Sequence, residues 1–235
     1  KINYNISKYD TAVINGKNQY KFLDLAKNRA YVIKHKVINN LEKYLIEFAA
    51  NFEKKGGKII WAQDKDEAVK EILDLMKKNN VKLVVKSKSM TTEEIELNEA
   101  LAKNEIENIE TDLGEYIVQI AGEKPYHIVT PAMHKSKEDV ALLFNEKFNT
   151  PSESTPEELT TFVRQKLREK FIQADVGITG CNFLIADIGA VCLTENEGNG
   201  LMSVSFPKIH IAVAGIEKII PTLAELNLFW PLLAS

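Results

Sequence analysis

The stretch Ala174-Asp-Val-Gly-Ile-Thr-Gly-Cys-Asn-Phe-Leu-Ile-Ala-Asp-Ile-Gly-Ala-Val-Cys-Leu-Thr-Glu-Asn-Glu-Gly-Asn-Gly200 decides how the chain is read. Its pattern predicts a buried strand, a tight glycine loop, a short helix, a second strand and a second polar glycine loop. Gly177, Gly180, Gly198 and Gly200 permit positive φ and let the backbone approach a bound group closely. Two such loops so near each other point to a ligand pocket made largely of backbone amides.

Upstream of this stretch the chain alternates. Residues 58–63 and 81–85 read as strands, and 105–110 as an edge-like third. Helix starts fall between them: Asp64 with Glu67, Thr91 with Glu94 for a helix to about residue 103, Asp112 with Glu115, and Ser136 with Asp139. Thr155-Pro156-Glu157-Glu158 combines an N-cap, proline at the first helical position and glutamate at the third. Strands near 175–178, 190–193 and 209–213 complete the core. This alternation predicts an α/β fold, a mostly parallel sheet with helices on both faces. Ahead of it, apolar positions from Phe22 to Phe52 recur with helical period over 17–55 and stop at Gly56-Gly57. The expected organisation is an irregular arm and long N-terminal helix over 1–57, packing on an α/β domain over 58–235.

In parallel sheets ligands bind outside the carboxyl ends of the strands. Three small polar segments follow the expected strands, so the topology would gather them at one edge. Lys86, Ser87, Lys88 and Ser89 offer two ammonium groups, two hydroxyls and a helix start to a carboxylate or phosphate. The plainer reading is a solvated turn. Gly177, Thr179, Gly180 and Asn182 form the second candidate loop, with close strand–helix packing as the plainer reading. Glu197, Gly198, Asn199 and Gly200 form the third, beside Glu195, the candidate catalytic residue as nucleophile, acid–base group or anchor. Asn-Gly is also a strong turn signal. His134 is retained as a candidate pocket residue; with His127 it flanks Pro131, a spacing that matches no metal motif, and no metal site is expected.

Composition narrows the class. The 235 residues are 45% hydrophobic and carry a net charge of -3, with no basic excess to displace counterions from nucleic acid. No apolar run approaches the ~20 residues that span a bilayer, and the first residues lack the basic-then-apolar pattern of a signal peptide. Cys181 and Cys192 are the only cysteines. They give no disulfide scaffold, fit a cytoplasmic setting, and fall short of the four thiolates an iron–sulfur cluster usually takes.

Six ordered segments together carry a resemblance. They are Lys86-Ser-Lys-Ser-Met90, Thr111-Asp-Leu-Gly-Glu-Tyr-Ile-Val-Gln119, His127 with Pro131-Ala-Met-His-Lys135, Ala174 to Phe183, Glu195-Asn-Glu-Gly-Asn199, and His210-Ile-Ala-Val-Ala-Gly-Ile-Glu-Lys218. The chain resembles the LUD domain of LutB-type lactate utilisation proteins, the iron–sulfur subunits of a bacterial L-lactate oxidation system. The resemblance implies a NagB/RpiA/CoA-transferase-like fold and a part in oxidising L-lactate to pyruvate beside other lactate utilisation subunits. Electrons would pass through 4Fe-4S clusters. Family members continue into a ferredoxin-like module with cluster-ligating cysteines, which this chain lacks, and its apolar ending reads as a chain cut short. No cofactor is therefore expected in these residues, and clusters are implied only for a full-length protein. The resemblance implies an Arg at the position where this chain has Leu201, so an anion contact expected there is missing. Two alternatives stay open. Related CoA transferases use a glutamate after a strand as nucleophile, a setting that Glu195 resembles; or the domain binds a metabolite without chemistry. Whether the chain is itself an enzyme, and whether it forms a homo-oligomer, are left open.

Overall fold

The structure, a computed structural model, describes residues 2–126, 130–195 and 197–233. His127 and Asn196, which figure in the resemblance, lie outside the described residues. In chain order the elements are α1 (Ile2–Asn18), α2 (Leu23–Ile38), α3 (Leu41–Lys54), α4 (Lys65–Lys78), β1 (Leu83–Lys86), α5 (Met90–Glu94), α6 (Leu97–Lys103), β2 (Glu107–Glu110), α7 (Leu113–Ala121), α8 (Lys137–Phe148), α9 (Pro156–Gln173), β3 (Val176–Thr179), β4 (Phe183–Ile185), β5 (Ala190–Cys192), α10 (Asn199–Ser205), β6 (Ile209–Ala212), β7 (Ile219–Ile220) and α11 (Leu226–Leu232). Contacts group them into two units. One holds Lys1–Ile60, Cys181–Leu193 and Ala214–Ser235; the other holds Trp61–Gly180 and Thr194–Val213. Among the described residues no helix is long and apolar enough to cross a membrane.

The second unit is built on a fully parallel sheet in the order β2-β1-β3-β6. All four residues of β1, and all four of β3, are buried, the mark of strands covered on both faces. On one face Val84, Val176 and Ile178 pack with Ile72 and Met76 of α4 and Leu97 and Leu101 of α6. On the other, Leu83 and Val85 meet Ile117 of α7, Phe144 of α8, and Leu159, Val163 and Leu167 of α9. Side-chain caps start these helices: Asp64 on α4, Asp112 on α7, and reciprocal capping boxes at Ser136/Asp139 and Thr155/Glu158. From β1 the chain runs outward to β2, then returns through α7, α8 and α9 to β3 on the opposite side of β1. That reversal is a topological switch point, and its crevice lies at the carboxyl ends of β1 and β3.

The first unit carries α2, α3 and α11 around a small sheet, β5-β4-β7, with β4 antiparallel to β5 and parallel to β7. Val37, Tyr44 and Phe48 pack on Leu184, Ala186 and Ile219. Gly56 takes φ +89 after α3, and the amides of Gly56 and Gly57 donate to Glu53 O and Phe52 O, which closes the helix in a left-handed cap.

Four local expectations are corrected. Residues 183–185 form strand β4 rather than a short helix, because all three are buried and pair with β5 on one side, while Leu184 and Ile185 also pair with β7 on the other. Residues 58–63 form no strand; Ile60 and Trp61 are half exposed, and an apolar run without a ladder partner has nothing to fix it as one. The periodicity over 17–55 is interrupted near residues 19–22 and 39–40, giving α2 and α3, while α1 occupies the expected irregular arm. Helix 91–103 is two helices: Ser89, not Thr91, caps α5, and Glu96 at φ 55 breaks the run before α6.

Candidate functional site

The carboxyl edge of the parallel sheet concentrates buried polar groups. Ser87 N donates to Ile178 O at 2.9 Å, which carries the β1–β3 pairing one residue beyond the strand. Next to it Gly180 faces Ser89 so closely that a Cβ on it would sit 2.7 Å from Ser89 Oγ. The loops after β1 and β3 therefore touch at the switch point. Glu195 to Gly200 arrives differently from the expectation. It follows β5, which is not a strand of this sheet, and reaches the edge because α10 packs on β3. There Gly177 leaves room for α10: a Cβ on it would lie 1.8 Å from Ser203 O. At this glycine the geometry is that of close strand–helix packing. Asn199 Nδ2 donates to Thr111 Oγ1 at 3.4 Å, and Thr111 Oγ1 donates to Lys86 O at 3.0 Å, so α10 is tied to the ends of β1 and β2. Thr179 Oγ1 lies 2.9 Å from His210 Nε2 across β3 and β6.

At the centre is a buried ion pair. Lys86 Nζ stands 2.8 Å from Glu110 Oε1, both side chains almost fully enclosed, and donates to Thr92 Oγ1 at 3.2 Å. Asn98 Nδ2 donates to the same glutamate oxygen at 2.7 Å, and Asn108 Nδ2 donates to Asn98 Oδ1 at 2.7 Å. Glu93 and Glu115 hydrogen-bond to each other through their side chains. Two ionised carboxylates are both acceptors, so this contact requires a proton between them. Burial, then the neighbouring Glu93 and Glu110, push Glu115 up to about 8. Burial also raises Glu93, against the pull of Lys86. Lys88, half-buried, is within electrostatic reach of Glu93, Glu115 and Glu197. None of Glu93, Glu110 and Glu115 is singled out by sequence pattern, since each looks like a surface or capping carboxylate of its own element.

A raised carboxyl makes the folded state hold protons that the unfolded chain has released. The Glu115 contribution to stability is thus fully present below the ordinary carboxylate pKa of about 4.3 and is lost as pH rises through about 8. Urea midpoints measured from pH 5 to 9 should fall over that window. In Glu115→Gln, which cannot ionise, the fall should flatten and the variant should overtake the parent above pH 8. Identical pH profiles would contradict the placement of this carboxyl.

The remaining sequence candidates have definite partners. Glu195 Oε2 accepts from Gly200 N at 2.8 Å and Leu201 N at 3.3 Å, which makes it the anchor of α10. Glu197 Oε2 accepts from Leu113 N at 3.3 Å at the start of α7, and burial followed by Asp112 raises its pKa. Gly198 takes φ +79 in open space. The amides expected to meet a ligand at Gly200 thus meet the chain's own carboxylate. Glu195→Ala should remove an N-terminal cap and cost about 1 kcal/mol in urea unfolding. His134 Nε2 lies 2.7 Å from Glu123 Oε2, and Lys135 holds Oε1 of the same carboxylate at 2.7 Å. Hydrogen bonds from Lys135 and then His134 keep Glu123 below the usual range. This places His134 at the far end of α7 from Glu115. Asn182 belongs to the first unit, where its amide donates to Cys192 O at 2.9 Å.

One open groove lies away from this edge. It encloses about 790 Å³ between α4 and α6, near the amino ends of β1 and β2, with Leu73, Met76 and Ile106 beneath a mixed rim that includes Lys70, Asp74 and Lys103. The polar network at the opposite edge has the convergent buried groups that a site requires; the groove has a solvated, mixed-charge rim. Among the described residues no group of three or more His, Cys, Asp or Glu is arranged to hold a metal ion.

A parallel α/β domain whose switch point carries this Lys–Glu network defines the class, and residues 45–233 match the family model of the LUD domain. The chain belongs to the LUD-domain family. Over 201 residues it is 46% identical to proteins named Lactate utilization protein B in Bacillus cereus (strain AH820), Bacillus thuringiensis (strain Al Hakam) and Bacillus anthracis (strain CDC 684 / NRRL 3495). Each match covers 86% of this chain and 42% of the relative, so the chain spans less than half the length of the proteins it matches. No solved structure matches it. The cysteines present do not suit an iron–sulfur cluster. A cluster usually takes four thiolates, and the chain has two cysteines; burial pushes Cys181 up to about 12 and raises Cys192.

Proposed function

We propose that this chain is the LUD portion of a component of a bacterial L-lactate oxidation system. In this reading L-lactate becomes pyruvate, and electrons leave through iron–sulfur clusters held outside these residues. The observation that carries it is the 46% identity over 86% of the chain to proteins named for lactate utilisation. The parallel-sheet unit supplies a small-carboxylate site at its carboxyl edge, with Lys88, Ser87 and Ser89 on one side and Asn199 on the other. The sheet, covered by helices on both faces, supports placing the domain in the NagB/RpiA/CoA-transferase-like superfamily. Leu25, Tyr31, Val32 and Ile38 are exposed on α2 and supply apolar area for docking other lactate utilisation subunits. A cytoplasmic setting fits this role. Glu195, with two amides on one oxygen, acts as an anchor, and acyl transfer is not adopted.

Deleting the gene should stop growth on L-lactate as sole carbon source and leave growth on glucose intact. Normal growth on L-lactate in a strain with no second copy would reject the role.

A further inference from the structure

The first unit concentrates the positive charge of the chain. Residues 1–60 hold twelve Lys and Arg against five Asp and Glu, in a chain whose net charge is -3. The surplus falls on the segment that builds α1, α2 and α3, and on α2 it meets an exposed apolar stripe. Leu25, Arg29, Val32 and Lys36 follow one another at steps of four, three and four residues, so they share one face of the helix. Ala30, Ile33 and Val37 turn the opposite face into the core of the unit. Leu25 is 68% exposed and Val32 63%, with Arg29 and Lys36 exposed beside them. Phe22, Tyr31 and Ile38 add further exposed apolar area. Lys34 is engaged within the unit, where its Nζ donates to Glu217 O and Ile219 O. The side chains of Arg29 and Lys36 form no ion pair among the described residues, and Asp24 is the only carboxylate on α2.

The position of the two cations decides what covers this face. A bilayer takes helices whose charges stand on the side away from the apolar one. Here Arg29 lies between Leu25 and Val32, so sinking the apolar residues would carry a guanidinium below the headgroups, an expensive step. A second copy of α2 would bring like charges together across the contact, which is also unfavourable. A protein surface with carboxylates set among apolar groups meets both needs. It covers Leu25 and Val32 and pairs both cations, Arg being suited to a two-pronged bond with a carboxylate. We propose that α2 docks an acidic partner protein, whose surface sets two carboxylates about 10 Å apart around an apolar centre, the separation of Arg29 and Lys36 two helical turns apart. This rests on the docking role given to α2 in the proposed function, and deepens it by naming the charge that the partner carries.

Photo-crosslinking in the native host tests it. With p-benzoylphenylalanine in place of Val32, cells growing on L-lactate should yield one main protein adduct. Its crosslinked peptide, read by mass spectrometry, should carry two or more Asp or Glu. Combining Arg29→Glu with Lys36→Glu should cut the adduct about tenfold or more, while Arg29→Lys with Lys36→Arg should keep it. Both positions are exposed, and thermal unfolding of the purified variants establishes that they are folded. An adduct with a second copy of the chain, with lipid, or with a peptide that lacks carboxylates would overturn the inference. So would an adduct that survives the charge reversal, or no adduct at all. The deletion strain judges the role in lactate oxidation separately, since its growth on L-lactate does not depend on which surface meets α2.

Discussion

Replacing Lys86 with alanine should destabilise the chain by about 3–5 kcal/mol, because it leaves Glu110 charged, enclosed and without its counter-ion. Glu110 is 2% exposed, so water does not reach it to make up the loss. The magnitude separates two views of the pair. An exposed ion pair is worth at most ~1 kcal/mol, whereas removing one partner of a buried pair strands the other. A double variant, Lys86→Met with Glu110→Gln, should regain most of the loss, since the glutamine carbonyl can still accept from Asn98 and no charge is left buried. Urea unfolding measures both, and an unchanged slope with denaturant would show that the same amount of structure unfolds. A single variant losing under 1 kcal/mol would mean that the pair is not enclosed.

Gly177→Ala should cost about 3 kcal/mol, the upper part of the range for overpacking. The new methyl would meet Ser203 O, a backbone atom of α10 that cannot rotate away, so the helix itself must move. Alanine's advantage in the unfolded chain, roughly 0.4–1 kcal/mol, does not offset this. Gly198→Ala is the informative comparison. Its φ is +79, but a Cβ there has nothing within 4 Å, so only the left-handed conformation is penalised, at about 1–2 kcal/mol. Equal losses at the two glycines would contradict the packing of α10 on β3.

Much of the architecture was legible from local chemistry. Asp64, Asp112, Ser136 and Thr155 each cap the helix their spacing announces, and the apolar run before Lys86 is a doubly covered strand. These signals work because a cap or a buried strand is decided within a few residues. What failed was decided by distant partners. Phe183 to Ile185 becomes a strand through pairing with Ala190–Cys192 and with Ile219 and Ile220, and no feature of the segment itself announces that pairing. The site divided in the same way. Lys86 to Ser89 and Asn199 stood out as polar groups near glycines or strand ends. Glu93, Glu110 and Glu115 did not, because they come from α5, β2 and α7 and acquire their character only when burial gathers them around Lys86. The one available sign was compositional: Glu115 lies in Leu113-Gly-Glu-Tyr-Ile-Val118, a helix apolar enough to be buried almost all round.

In the proposed function, the ends of β1, β2 and β3, with the start of α10, are the ligand-binding edge of this domain. Titrating isotopically labelled protein with L-lactate and following each backbone amide by NMR tests it most directly. The amides of Ser87, Lys88, Ser89, Thr111, Glu115 and Gly180 should shift together and saturate with one affinity. Shifts confined to the groove between α4 and α6, around Lys70 and Lys103, would contradict it.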